Sequence, residues 1–438
     1  MKSLLIKNGH LIDPAQGIDE SGSLLITGDK IAWQGKGETP PPHQNLDAID
    51  ARGLIVCPGF VDLHCHLREP GFEEKETIAT GTQAAARGGF TTICAMPNTD
   101  PPMDNPYVIE WVKAKAAKES PVRVLPIGCI TKGRKGQELA EMGEMAAAGV
   151  VGFSDDGDPV PDSRLMRLAL DYTLYVGLPI IEHSEDKRLS EGGHMNEGAI
   201  STQMGIPAMP AAAEEVAVAR DLILAKLTGG LLHLTHVSTE DSVDLVRLYK
   251  EKGVKVTADV TPWHLTLTEE RVNGYNTSAK MKPPFRTAMD VQACIKALKE
   301  GVIDFIGTDH APHAQPDKAC EFALAASGCS CFETALGNLL TLVHGGHLSL
   351  ATLIAKITSE PAKIIGNKHG ILGTLATGAS ADVTIFDPGK EWVVDTKTFA
   401  SKGKNNPLDG ETLKGKVMAT ISRGKIAYKE EAIKLKKG

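Results

Sequence analysis

The sequence predicts an α/β protein: a (β/α)8 barrel of the TIM type with a small β-sandwich formed by the two chain ends. Three observations predict this fold. Short apolar runs alternate with longer helical patterns through the middle of the chain, as in parallel strands joined by crossover helices. Eight such runs can be counted, which is the number that closes a barrel. Both ends of the chain share short strand-like pieces broken by glycine and charged turns.

The eight predicted barrel strands are short apolar segments bounded by turn residues. They are Val56 to His64, Phe90 to Met96, Val122 to Ile130, Gly149 to Ser154, Leu178 to His183, Leu231 to Val237, Val254 to Val260 and Ile303 to Thr308. Segments with helical periodicity lie between them. These include Glu76 to Arg87, Pro106 to Lys118, Glu138 to Ala148, Ala211 to Leu227 and Asp290 to Glu300. Asn105 followed by Pro106 is typical of a capped helix start.

The two chain ends have a different sequence pattern from the middle of the chain. Their strand-like pieces are Leu4 to Ile12, Ser23 to Trp33, Ala381 to Phe386 and Lys416 to Tyr428. We therefore expect residues 1–55 and 371–438 to pair into a small β-sandwich domain beside a barrel of residues 56–370. Two independent tails are the alternative interpretation.

Composition favours a soluble enzyme that acts on a small molecule. The chain has 438 residues, of which 42% are hydrophobic and 23% charged, and its formal net charge is −8. This balance provides no general basic surface for nucleic acid or anionic lipid, and no apolar run reaches membrane-spanning length. Eight cysteines lie scattered through mostly apolar stretches, as reduced core cysteines do in cytosolic proteins. We expect a cytoplasmic location.

Metal-ligand residue types follow the predicted strands. His64 and His66 close the first strand, and residues two apart at a strand end point to the same side. In a barrel of this type the active site forms at the carboxyl ends of the strands. The residues at these ends that can bind a metal are His64, His66, Asp155, Asp156, His183, His236 and Asp309. A lone histidine is usually structural, but this set on five of eight strands predicts a metal site.

The donor types indicate which metal and which chemistry to expect. Imidazole nitrogen and carboxylate oxygen favour zinc, with manganese, cobalt and iron as chemical alternatives. Four histidines, Asp309 and one aspartate of the pair Asp155 and Asp156 make six ligands. Six exceed the need of one tetrahedral ion, so two ions bridged by a carboxylate are expected. Such a pair makes hydroxide available from bound water and polarises a carbonyl. A carboxylate such as Asp309 could carry the proton to a leaving nitrogen, which predicts hydrolysis.

These residues stand in motifs that resemble a known family, the cyclic amidohydrolases, and within them the dihydroorotases of the bacterial single-function type. The resemblance covers nearly the whole chain. The motifs are Pro58-Gly-Phe-Val-Asp-Leu-His64-Cys-His66-Leu-Arg68-Glu-Pro-Gly71, Ala95-Met-Pro-Asn98-Thr99, Ser154-Asp-Asp156-Gly157 and Gly307-Thr-Asp309-His-Ala-Pro-His313.

The resemblance implies a role for each site residue. His64 and His66 would hold the more buried ion, His183 and His236 the second, Asp156 would bridge the two ions, and Asp309 would be both ligand and proton shuttle. Hydantoinases and allantoinases usually bridge their ions with a carboxylated lysine, so Asp156 implies the aspartate-bridged dihydroorotase subtype. Choosing Asp156 over Asp155 rests on the family pattern. The substrate carboxylate would be held by Arg68, Asn98 and His313.

Two segments depart from the family pattern. Relatives often have Met-Asn-Pro-Pro where this chain has Met281-Lys282-Pro283-Pro284, so a substrate-contacting asparagine is replaced by Lys282. The segment from Ala325 to Glu333 differs from the usual Pro-Phe-Gly pattern, although Gly328 can supply a backbone contact to the substrate.

The resemblance implies a zinc-dependent enzyme of pyrimidine biosynthesis that interconverts N-carbamoyl-L-aspartate and L-dihydroorotate. One or two Zn²⁺ ions per subunit are implied, with two expected. A hydantoinase or allantoinase is the nearest alternative. Another is a non-catalytic partner of aspartate transcarbamoylase, although such chains lack metal ligands that this sequence keeps. We expect a homo-oligomer, a dimer, and association with aspartate transcarbamoylase stays open.

Overall fold

A computed structural model describes residues 3–36 and 46–436 of the chain. In this structure α-helices alternate with parallel strands through the middle of the chain, and antiparallel strands come from both ends. This is the predicted (β/α)8 barrel with a β-structure built by the two chain ends.

The strands are numbered in chain order. They are β1 Ser3–Asp13, β2 Ile18–Thr27, β3 Lys30–Gly35, β4 Leu46–Asp50, β5 Ile55–Pro58, β6 Phe60–Cys65, β7 Phe90–Ala95, β8 Arg123–Pro126, β9 Ile180–His183, β10 Met195–Asn196, β11 Ala208–Met209, β12 Leu232–Thr235, β13 Val256–Val260, β14 Phe305–Ile306, β15 Val383–Val393, β16 Thr412–Ser422, β17 Lys425–Lys429 and β18 Leu435–Lys436.

The α-helices are numbered in the same way. They are α1 Ile78–Arg87, α2 Pro106–Glu119, α3 Met142–Ala148, α4 Ser163–Val176, α5 Ala199–Met204, α6 Ala212–Thr228, α7 Glu240–Glu251, α8 Pro262–Thr266, α9 Ala288–Glu300, α10 Gln315–Lys318, α11 Phe332–His344, α12 Leu350–Ile357 and α13 Ser359–Ile365. Helix α2 begins as predicted, since the Asn105 side chain accepts from the backbone N–H groups of Tyr107 and Val108 and Pro106 follows it.

Parallel pairing runs around the whole barrel. β6 pairs with β7 and β7 with β8, and β9, β12, β13 and β14 follow in order. Phe153 bridges the two groups by pairing with Gly128 and Ile180, and His310 pairs with Cys65 to close the circle. The eighth strand is therefore next to the first.

Several predicted elements differ from the structure. The pieces Ser23 to Trp33 and Lys416 to Tyr428 each span two paired strands, β2 with β3 and β16 with β17, and the run Gly149 to Ser154 pairs only through Phe153. The apolar run Val56 to His64 is two strands, because Gly59 turns the chain from the end sheet into the barrel; a Cβ at Gly59 would lie 2.2 Å from Thr91 Oγ1. The helix predicted from Glu138 begins at Met142. The residues before it are instead bonded to the end of the third barrel strand, since Ala140 donates to the carbonyl of Ile130 at 2.9 Å.

Strands from both chain ends share one sheet with its own core. Within the described residues this sheet has nine strands, and β1 pairs with β2 on one edge and with both β4 and β5 on the other. β5 and β15 join the two chain ends directly. A core separate from that of the barrel includes Ile6, Leu24, Ile49 and Ile385. β5 spans the predicted domain limit at residue 55, and the limits themselves remain a prediction.

Polar contacts join the end sheet to the barrel. Arg123 of β8 forms an ion pair with Asp382 at 2.8 Å, and the hydroxyl of Thr384 donates to the carbonyl of Gly89 at 2.6 Å. The end sheet is thus attached to the barrel close to its first strands. In the described part of the chain, none of the helices combines the length and the apolar character needed to cross a bilayer.

Candidate metal centre and active site

Six predicted ligand residues lie at the carboxyl ends of the barrel strands. His64 belongs to β6 and His66 follows it; Asp156 follows the strand segment at Phe153; His183 ends β9; His236 directly follows β12; Asp309 follows β14. All six are buried. Along β6, Val61 and Leu63 alternate with Asp62 and His64, so apolar and ligand side chains point to opposite faces of the strand.

The first donor group consists of His64, His66 and Asp156. The Nε2 atom of His64 lies 3.4 Å from Asp156 Oδ1, and the Nε2 atom of His66 lies 3.5 Å from Asp156 Oδ2. Asp309 completes this corner, with its Oδ1 atom 3.6 Å from His64 Nε2 and 3.2 Å from His66 Nε2. Two imidazoles and two carboxylates therefore converge at one point.

The second donor group consists of Asp156, His183 and His236. Asp156 Oδ1 lies 3.6 Å from His183 Nδ1 and 3.8 Å from His236 Nε2. The two imidazole nitrogens are 2.9 Å apart. Asp156 belongs to both groups, which is the position that a bridging carboxylate requires.

The residues fit divalent cations on physical grounds. Among the described residues, His64 Nε2 and Asp156 Oδ1 are buried without a hydrogen-bond partner, a costly arrangement unless a cation satisfies them. Burial alone would lower the pKa of His64, but the carboxylates of Asp156 and Asp309 raise it to about 9. The cluster therefore favours positive charge, as expected of a metal site built from nitrogen and oxygen donors.

Hydrogen bonds fix how the first two imidazoles face the cluster. His64 Nδ1 lies 2.7 Å from Thr235 Oγ1, and that hydroxyl donates to Asp259 at 3.0 Å. His66 Nδ1 lies 2.9 Å from Asn98 Oδ1. Because a neutral imidazole has one N–H and one lone pair, each contact leaves the Nε2 lone pair for a metal. Sequence reasoning missed Thr235; its place beside His236 in the chain was the available signal.

Asp155 and Asp156 have separate roles. Asp155 Oδ1 accepts from the backbone N–H groups of Ile130 and Thr131 at 2.9 and 3.1 Å, and its other oxygen accepts from the Thr131 hydroxyl. Burial raises the pKa of Asp155 to about 6, although these hydrogen bonds act to lower it. Asp155 thus holds the neighbouring loop, and Asp156 is the residue that enters the cluster.

Arg68 and His313 meet beside the donor groups. Arg68 Nε donates to the carbonyl of Pro312 at 3.1 Å, and its Nη2 atom lies 3.4 Å from His313 Nε2. The shorter contact of His313 Nε2 is 2.8 Å, to the carbonyl of Ser327. Burial and then the charge of Arg68 lower the pKa of His313, which keeps the imidazole neutral. With Asn98 on His66, the three predicted carboxylate-binding residues all lie near the cluster.

Gly328 and Lys282 have partners within the protein. The N–H of Gly328 donates to the carbonyl of Lys280 at 2.9 Å, so its backbone can contact a substrate only if this bond opens. Gly328 has φ +134° and no space for a Cβ, which would lie 2.8 Å from that of Ala311. Lys282 Nζ lies 2.8 Å from Glu185 Oε1. This ion pair was not expected from the sequence.

The loop that carries His313 and Gly328 is held by a buried lysine. Lys318 Nζ donates to the carbonyls of Thr277, Lys280 and Ala326 at 3.0, 3.2 and 2.6 Å. A cavity of about 430 Å³ is lined by Asp158 and Glu185, each two residues beyond a candidate ligand, but by none of the six candidate ligands themselves.

The chain is similar to known proteins over nearly its whole length. The family model described as Dihydro-orotase-like matches residues 53–242. A protein of Geobacter sp. (strain M21) named "Dihydroorotase" is 48% identical over 97% of this chain and 99% of its own length. A protein of the same name from Pelotomaculum thermopropionicum is 49% identical over 98% of this chain and all of its own length.

Solved structures show the same fold. The L-hydantoinase (dihydropyrimidinase) from Arthrobacter aurescens superimposes with a TM-score of 0.88 at 26% identity, over 100% of this chain and 98% of its own. A D-hydantoinase from Thermus sp. gives a TM-score of 0.80 at 25% identity, over 99% and 97% of the two chains.

A barrel of this type with two histidine pairs around one aspartate defines the protein as a cyclic amidohydrolase. With near-complete coverage at almost half identity to curated relatives, the chain belongs to the dihydroorotase family.

The shared position of Asp156 predicts different metal losses for two variants. Asp156→Ala should weaken metal binding at both donor groups by more than about 10-fold because it removes a donor from each, whereas His183→Ala should weaken binding at the second group only. Bound metal per chain, measured after gel filtration, checks this. His194→Ala, outside both groups, is the control. Two ions retained by Asp156→Ala would contradict the bridging position.

Proposed function

We propose that the chain is a zinc-dependent dihydroorotase of pyrimidine biosynthesis, which reversibly closes N-carbamoyl-L-aspartate to L-dihydroorotate with loss of water. Two ions are proposed, one with His64 and His66 and one with His183 and His236. Asp156 would bridge them, and Asp309 would be both a ligand and the proton carrier. The names of the full-length relatives support the reaction, and the nitrogen and oxygen donors support zinc.

The observation that carries the substrate assignment is the place of Arg68. Its guanidinium lies beside His313, and its pKa, lowered by burial to about 10 and supported by the charges of Asp309 and Asp156, leaves it charged at neutral pH. Dihydroorotate and carbamoyl-aspartate carry a carboxylate that a hydantoin need not have, and a guanidinium can bind it through two hydrogen bonds. Asn98 and His313 would complete this pocket, with Gly328 and Lys282 at its edge.

The side chains of the cluster can position the reaction and move its proton. When bound, divalent ions would polarise the ring amide carbonyl and make a water molecule acidic. In the hydrolytic direction, a C–O bond forms at this carbonyl and the ring C–N bond breaks. Burial opposes the charge of Asp309, but its contact with His66 and the charge of His64 lower its pKa. As a carboxylate it can accept the proton from water and deliver it to the leaving nitrogen.

The reaction is tested by ring opening of L-dihydroorotate by the zinc-loaded protein, followed by ultraviolet absorbance. A chelated sample and a hydantoin are run in parallel. Loss of dihydroorotate alone, and only with metal, is the expected result. Turnover of the hydantoin instead would support the hydantoinase or allantoinase alternative. Metal-loaded protein that converts neither compound until aspartate transcarbamoylase is added would indicate a required partner.

Replacing Asp309 by asparagine tests the proton carrier. Asp309→Asn removes the basic oxygen but keeps a polar group of the same size, so turnover should fall to background while bound metal is retained. Both quantities are measured on one preparation. Near-normal turnover in this variant would contradict the role of Asp309 as proton carrier.

We also propose that the chain acts in the cytoplasm as a homodimer. All eight cysteines lie in the described residues and none forms a disulfide there, which is usual in a reducing compartment. Leu168, Tyr172 and Tyr175 lie on one exposed face of α4 and are 45%, 39% and 83% exposed. Exposed apolar faces often mark protein interfaces. Arg167 and Asp171 flank this face and form an ion pair with each other at 3.8 Å. A twofold axis would bring two such faces together.

Light scattering measures the subunit number. The wild type should have twice the mass of the chain, and Tyr175→Glu should shift it toward the monomer by placing charge in the interface. Tyr107→Glu, at another exposed aromatic residue on α2, should leave the dimer intact. A monomeric wild type, or a dimer unaffected by Tyr175→Glu, would count against this interface; a larger complex only with aspartate transcarbamoylase would indicate the heteromeric partnership.

A further inference from the structure

Glu185 is a buried carboxylate that contacts a metal-ligand histidine from outside the cluster. Its Oε2 atom lies 3.1 Å from His183 Nε2. Its Oε1 atom accepts from the Ser190 hydroxyl and forms an ion pair with Lys282 Nζ at 2.8 Å. The Glu185 side chain is only 7% exposed, while that of Lys282 is 33% exposed. Lys282 is thus a cation at the rim that anchors a carboxylate inside.

His183 uses the opposite nitrogen from the other three histidines. His64, His66 and His236 turn Nε2 toward Asp156, whereas His183 turns Nδ1, which lies 3.6 Å from Asp156 Oδ1. A neutral imidazole can offer the Nδ1 lone pair to a metal only if Nε2 carries the proton. The acceptor for that proton is Glu185, so this contact selects both the tautomer and the ring orientation of His183.

The position of Glu185 depends in turn on Lys282. Oε1 has two partners, a neutral hydroxyl and the Lys282 ammonium, and charge-assisted hydrogen bonds are about twice as strong as neutral ones. Removing the ammonium leaves the carboxylate held on this side by Ser190 alone. Glu185 borders the cavity of about 430 Å³, and together with His183, Ser190 and Lys282 it lines a second cavity of only about 20 Å³.

We propose that Lys282 and Glu185 are positioning residues for the second divalent ion: Lys282 anchors Glu185, and Glu185 orients His183 so that Nδ1 faces that ion. The inference rests on the metal dependence of the proposed function. It gives a role to the lysine that stands where relatives often have asparagine. In this chain the residue supports a metal ligand through an ion pair and does not need to touch the substrate.

The test is the affinity of the apoenzyme for Zn²⁺ at fixed pH, measured against a chromophoric chelator without substrate. Outer hydrogen-bond partners of metal ligands typically affect metal affinity by about 10- to 100-fold. We expect Glu185→Ala to weaken the second ion by this factor and Lys282→Met by about 10-fold, with the first ion unchanged in both. Lys282→Arg should restore most of the affinity because it keeps the cation.

Lys187→Met is the matched control. Lys187 borders the cavity of about 430 Å³ that Glu185 also lines, and it forms an ion pair with Asp158. Circular dichroism of every variant confirms folding. A second-ion affinity of Lys282→Met equal to that of Lys187→Met would overturn the role of Lys282. Equal weakening of both ions, or a wild type that binds only one ion, would overturn the proposal as a whole.

The result is independent of the reaction assigned above. A wild type that binds two ions but does not open dihydroorotate would contradict the proposed reaction, while the effect of Lys282 on the second ion would still be measurable. A wild type that opens dihydroorotate, with unchanged metal affinities in both variants, would contradict only the inference about Lys282 and Glu185.

Discussion

The hydrogen bonds that close the barrel between its first and last strands determine the geometry of the whole site. Asp62 of β6 accepts from both the backbone N–H and the hydroxyl of Thr308, at 2.7 and 2.8 Å. The N–H of His66 donates to the carbonyl of His310 at 2.9 Å. These bonds bring the ligands of the first strand beside Asp309, residues that are more than 240 positions apart in the chain. Burial raises the pKa of Asp62 to about 7, and its three hydrogen bonds with Thr308 and His64 oppose this desolvation cost.

Hydrogen bonds also fix the side chains around the cluster. A metal ligand in a protein interior needs its second polar atom satisfied, and each partner found here comes from a different strand or loop. The second ring nitrogen of each histidine contacts one such partner. The partners are Thr235 for His64, Asn98 for His66 and Glu185 for His183. Asp259 links two of these regions, because it accepts from the Thr235 hydroxyl and from the backbone N–H of His236 at 2.7 Å. The cluster is therefore held by a continuous polar network, in which a change at one ligand is felt at its neighbours.

The sequence predicted the ligands better than their supports, for a physical reason. Strand ends in a barrel meet at one rim, so the positions of His64, His183 and Asp309 followed from local patterns alone. Thr235 has no such pattern, because its role depends on His64, which lies 171 positions away in the chain. Glu185 lies only two residues from His183, but its ion pair with Lys282 joins distant parts of the chain. The break at Gly59 was hidden for a similar reason, since Val56 to Val61 is apolar throughout and only Thr91, from the next strand, excludes a Cβ there.

Three residues of the site have an energetically unfavourable backbone conformation. Arg68, His236 and Asp309 have φ values of 63°, 43° and 43°, in the left-handed region, where a non-glycine residue costs roughly 1–2 kcal/mol. Glycine would adopt this conformation more easily, but it has no side chain that could take the place of the imidazole, carboxylate or guanidinium group. The strain is offset locally, since the backbone N–H of His236 bonds to Asp259 and the Arg68 side chain to the Pro312 carbonyl. All three residues follow the ends of barrel strands, where the chain must turn sharply to aim a side chain back over the barrel mouth. At these three positions, the chemistry of the side chain thus outweighs the preference of the backbone.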